Sequence, residues 1–200
     1  MGKVIQPSTT QGSSPTQPST NKATVVTIPD SDIVKAYSDV SGYDPTTGAN
    51  DNGAAALDVL NYWRKTGISN HSIYAFVKIN QLNIPHVKYA IRLLGGAYLG
   101  FQLPLSAQNQ DIWDVPPTGT ATGNGVAGSW GGHAVCAIGY DPQYIYLISW
   151  GAVKKATWAF FSAYCDEAYA LISNDYVNSG KAPSGFDLTT LQADLNALSQ

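Results

Sequence analysis

A glycine-rich run into one histidine, Gly131-Gly132-His133-Ala134-Val135-Cys136-Ala137-Ile138-Gly139-Tyr140, is followed by Asp141-Pro142-Gln143 and the aromatic segment Tyr144-Ile145-Tyr146-Leu147-Ile148-Ser149. No other stretch limits the fold as strongly. Short apolar and aromatic runs on either side of an Asp-Pro turn read as two strands, 133–140 and 144–149, so the chain must build a sheet. Side chains alternate faces along a strand, and His133 and Cys136, three residues apart, therefore point to opposite sides. They cannot pair as base and nucleophile.

The remaining pattern mixes helical and strand periods, which makes the fold class α+β. A helix over about 53–65 is capped by Asp51 or Asn52, carries the apolar stripe Ala56, Leu57, Leu60 and Trp63, and ends at Gly67. Ile73, Ala75, Val77 and Ile79 alternate with Tyr74, Phe76 and Lys78 as a strand. A helix over about 85–94 buries Val87, Ala90, Ile91 and Leu94 before Gly95-Gly96, and 97–103 alternates again. Residues 31–37 read as a short helix or turn, 158–164 as a short helical piece, and 167–173 as a strand. Between them, 104–132 is a long connection rich in Gly, Pro, Asn and Thr with Trp113 and Trp130, a composition that suits either an interface-forming loop or a surface loop pinned by its tryptophans.

Both ends differ from this middle. Residues 1–28 form an arm dominated by Ser, Thr, Pro and Gln, with too little apolar surface to offset the entropy of ordering it alone, so a neighbouring subunit is its expected support. Residues 179–200 form a linker and an amphipathic helix, with Asp187 as cap and Leu188, Leu191, Leu195 and Leu198 on one face, expected to dock on its own domain. The globular domain is then 29–178.

Charged residues make up 12% of the chain, the net charge is −3, and no run of lysine or arginine could neutralise a row of phosphates, which excludes nucleic acid and anionic membranes as partners. No apolar stretch is long enough to span a bilayer, and the start of the chain lacks the apolar region of a secretory signal, so synthesis in a cytoplasm is expected. The two cysteines, Cys136 and Cys165, are expected to be free thiols. His71, His86 and His133 are too widely spaced to suggest a metal site, and no cofactor is implied.

The order His-Ala-Val, Gly-Tyr, turn, aromatic strand and Ser149-Trp150-Gly151 resembles the histidine half of the papain-like cysteine peptidases. That resemblance implies a papain-like fold, with a central helix packed on an antiparallel sheet or barrel. It also implies a cysteine at the start of that helix, after a polar loop that helps to bind the oxyanion. The matching segment is Asn50-Asp51-Asn52-Gly53-Ala54-Ala55-Ala56, so the nucleophile position falls within Ala54, Ala55 and Ala56. The asparagine that orients the base is replaced by Ile148, which accepts no hydrogen bond from an imidazole. His133 is thus expected to be vestigial and the protein not an enzyme, with His133, Trp130, Trp150 and Asn52 as candidate residues of a binding cleft. Further segments, 57–68, 131–135, 157–161 and 166–170, resemble a group of small papain-like proteins encoded in tailed-phage structural gene regions. This implies a virion component, made in the bacterial host cytoplasm, that contacts other copies of itself or other virion proteins through the 1–28 arm and the 104–132 loop. Two alternatives stand beside it: a hydrolase using Ser129 or a loop threonine with His133, and a peptide- or glycan-binding cleft with Trp130, Trp150 and Tyr146 as stacking surfaces.

Overall fold

A computed structural model describes residues 27–179 together with 184, 185, 187, 189 and 190. The expectations for the arm as far as residue 26 and for the leucine stripe at 188–198 lie outside the described residues. Asp187 does accept the N–H of Thr189 at 2.8 Å, the bond expected of a cap.

The fold is α+β, as the mixed periods require. Among the described residues, five helices, α1 (Asp30–Ser41), α2 (Ala56–Lys65), α3 (Ile84–Leu94), α4 (Trp158–Tyr164) and α5 (Asn174–Ser179), accompany a seven-stranded sheet. Its strands are β1 (Ile73–Ile79), β2 (Ala97–Leu103), β3 (Ile112–Trp113), β4 (Gly131–Tyr140), β5 (Tyr144–Ser149), β6 (Ala152–Thr157) and β7 (Cys165–Ser173). They lie in the order β1-β7-β2-β4-β5-β6-β3, antiparallel except where β3 meets β6.

Strand β2 sits between β7 and β4, and helices cover the sheet on both sides of it. Burial along β2 follows the expected alternation, with Ala97, Leu99, Phe101 and Leu103 inside and Tyr98 and Gln102 less so, and Gly100 adds to the buried set. Alternate residues of β2 and β7 feed two cores. Ala97, Leu99, Phe101, Ala168 and Ala170 join Val87, Ala90 and Ile91 of α3 and Phe160 and Phe161 of α4 in the larger one. Tyr169 joins Ala56 and Leu60 of α2 and Ile73 in the smaller, with Tyr98 packed against it.

Several expectations are corrected. The β1 face is not the one its alternation suggests, because the register shifts between Ile73 and Ala75. This bulge places Phe76 against the same cluster as Ile73 and leaves Val77 60% exposed. Helix α2 begins later than 53, and neither Asp51 nor Asn52 caps it: the cap position is Ala55, with no side-chain bond. Leu57, counted in its apolar stripe, is exposed. The short helix at 31–37 extends over Asp30–Ser41. Strand β6, with Lys154 and Lys155 in its middle, carries no alternating pattern and was not expected. It forms because β5 offers it six paired positions. The 104–132 connection contains β3 and two single 3-10 turns, and its Trp113 is wholly buried.

Candidate functional site

A cleft of about 560 Å³ separates the start of α2 from the sheet. Asn52, Gly53, Ala54, Ala55 and Ala56 line one wall, and His133 with Gln102, Asp166 and Glu167 lines the other. Four of the sequence-derived positions, the alanine triplet and Asn52, thus face His133 across one space.

The helix-side wall is braced by α1. The Tyr37 hydroxyl donates to Asp51 Oδ1 at 2.6 Å and accepts the Gly53 N–H at 3.0 Å, and the bond to Asp51 raises the pKa of the phenol. Asp51 is thereby committed to Tyr37 rather than to the helix end. Gly53 supplies the left-handed turn, with φ 77°, that brings the loop round into α2. No side chain caps α2: the Asp58 N–H bonds Ala55 O at 3.0 Å, and the N–H groups of Ala56 and Leu57 have no acceptor among the described residues.

His133 is held from behind. Its Nε2 lies 2.9 Å from Ser149 Oγ, and Ser149 is only 6% exposed. Ile148, read as unable to accept a bond from the ring, makes none; the strand register supplies a different partner. Ile148 pairs with Cys136, so both take the opposite face, and the neighbouring Ser149 turns towards His133. Nδ1 makes no hydrogen bond among the described residues. The Trp150 ring stacks on the imidazole, with centroids 4.3 Å apart and planes 16° apart, and Trp130 stacks on Trp150 at 5.3 Å. Trp113 meets both His133 and Trp150 edge-on. Partial burial in this stack lowers the His133 pKa, which favours the neutral ring. Trp150 holds φ 48°, a left-handed backbone rare for an aromatic residue, and its side chain is 63% exposed. Trp130 and Trp150 therefore form a shelf beside His133 and do not line the cleft itself.

The other candidates lie elsewhere. Ser129 Oγ accepts the Leu105 N–H at 2.9 Å and makes no bond to His133. Tyr146 hydrogen-bonds Asp141 at the far end of its strand. Cys165 is in the larger core, and burial, aided by Asp166, pushes its thiol up to about 12, far from a reactive thiolate. The hydroxyl bonded to the imidazole is that of Ser149, which is buried behind the ring.

Sequence reasoning missed Tyr37, Tyr98, Gln102, Asp166 and Glu167, all of which line the cleft. Gln102 Nε2 donates to Asp166 Oδ2 at 2.7 Å, and the Tyr169 hydroxyl donates to Glu167 Oε2 at 2.9 Å. The adjacent Asp166-Glu167 pair is visible in the sequence, but only the antiparallel pairing of β7 with β2 brings it beside the histidine strand.

No protein-family model matches the chain, and no curated protein matches it. Among solved structures it is similar to the Carica candamarcensis cysteine protease CMS1MS2, solved in complex with E-64, with a TM-score of 0.45 and 14% sequence identity over 62% of this chain and 70% of that one.

Proposed function

We propose that this protein is a catalytically inactive papain-like domain that serves as a structural or decoration component of a tailed-phage particle, acting through protein–protein contacts at the capsid, the head-to-tail region or the tail. One observation carries the loss of catalysis: the base faces the helix start across a formed cleft, and the positions that would carry the nucleophile are Ala54, Ala55 and Ala56. The phage assignment rests on the sequence resemblance and on the polar arm. Quantitative mass spectrometry of purified particles tests it. A fixed ratio of this chain to the major capsid protein is expected, high for a lattice position and low for a portal or tail position, and absence from particles would remove the reading.

The hydrolase alternative has one observation in its favour, the short contact between His133 and Ser149. Burial of Ser149 opposes it. Labelling of the folded protein at Ser149 by a fluorophosphonate would establish that alternative, whereas an inert Ser149 agrees with the structural role.

A further inference from the structure

Among the residues that line the cleft, Asp166 and Glu167 carry the only ionisable charges of fixed sign, and none is lysine or arginine. Each carboxylate spends one oxygen inside the protein, Asp166 Oδ2 on Gln102 and Glu167 Oε2 on Tyr169. The other two oxygens, Asp166 Oδ1 and Glu167 Oε1, receive no hydrogen bond among the described residues and converge over Gly100. A Cβ built at Gly100 would lie 3.1 Å from the first and 3.0 Å from the second, with Glu167 Cγ at 2.6 Å. Glycine on the central strand is what lets both carboxylates lean over that point. The result is a two-oxygen fork open to the cleft.

The chain itself contains a matching segment. Residues 1–28 hold Lys3 and Lys22 and no Asp or Glu, although the whole protein has a net charge of −3. Fully extended, 28 residues reach about 90 Å, well beyond the roughly 30 Å width of a domain of this size. An arm of that length can leave its own domain and enter the next.

We propose that the cleft of one copy holds the N-terminal arm of a second copy, with an arm lysine seated on Asp166 and Glu167. This rests on the structural role proposed above and names its contact. The N–H groups of Ala56 and Leu57, which have no acceptor among the described residues, supply donors for the carbonyls of the incoming strand. Such a contact joins two different surfaces, so it either propagates head to tail or closes by reciprocal exchange of arms between two copies.

The test uses the full chain with a benzophenone amino acid at Ala54, an exposed position on the cleft wall. Isotopically heavy and light copies are mixed, irradiated at the highest soluble concentration, and mapped by mass spectrometry. Cross-links to residues 1–28 in mixed heavy–light pairs are expected, with a yield reduced about fivefold by Lys3→Glu plus Lys22→Glu. Cross-links confined to other segments, pairs of one isotope only, which would mean that the arm folds into its own cleft, or no cross-link at all would each overturn the proposal. A chain present in particles but without the cross-link would sink this contact and leave the structural role standing, whereas a cross-linked chain absent from particles would do the reverse.

Discussion

His133 gives up part of its hydration to stack on Trp150, and the cost falls on the imidazolium, whose folded-state pKa is held below the ordinary imidazole value. The unfolded chain therefore binds a proton that the folded chain refuses, over the window between the folded value and about 6.5. The stabilising preference is fully present above that window and is lost as pH falls through it. Urea unfolding at pH 5 to 8 should show the native protein losing stability on acidification relative to His133→Gln, while the other two histidines, common to both, cancel. Parallel curves would mean that the stack does not desolvate the ring. Ser149→Ala should cost about 1 kcal/mol through loss of one partly buried hydrogen bond. It should also broaden or shift the His133 ring-nitrogen resonances, because the ring then loses its anchor at Nε2. Sequence reasoning singled out His133 and the alanine triplet and read Ile148 as unable to orient the ring, but it did not see Ser149. Counting along the chain cannot tell which of two adjacent strand residues faces the ring until the register is known, and here the register favours Ser149.

At the scale of elements, the start of α2 is where the cleft's chemistry can be tested. A thiol placed at a helix N-terminus near an imidazole is stabilised as thiolate, and its pKa falls below the usual value of about 8.5. Single variants Ala54→Cys, Ala55→Cys and Ala56→Cys should therefore differ sharply in iodoacetamide alkylation at pH 7. The one in reach of His133 should react on the order of tenfold faster than a free thiol and lose that advantage in the His133→Gln background. Equal rates in all three would mean that the helix start and the histidine do not address each other. Elements with their own local signal were legible: β5 at 144–149, and α3 with its apolar stripe and its stop at Gly95, though not its cap at Asn83. Elements decided by neighbours were not. Strand β6 borrows its order from β5, and the bulge in β1 comes from its pairing with β7.

For the molecule as a whole, the 104–130 connection matters more than its glycine- and proline-rich composition suggests. Trp113 is fully buried, gives its indole N–H to Ala107 O at 3.2 Å, stacks on Phe160 at 5.4 Å and meets Phe101 edge-on. Further along, the Tyr164 hydroxyl donates to Gly125 O at 2.8 Å, and a Cβ on Gly125 would lie 1.9 Å from Gly119 O, so this turn fits only glycine. These contacts make the connection one side of the larger core, and the same tryptophan is the edge on which His133 and Trp150 rest. Trp113→Ala should accordingly act in two places. It should lower unfolding free energy by about 3–5 kcal/mol, the range for emptying a large aromatic site, and it should let the His133 pKa rise towards its ordinary value as water reaches the stack. Chemical denaturation measures the first and an NMR titration of the His133 ring the second. A loss below about 1 kcal/mol, the scale of a surface change, with an unmoved His133 would mean that the connection is draped over the domain. A large loss with an unmoved His133 would separate the core from the cleft and leave Trp150 alone to set the histidine's protonation.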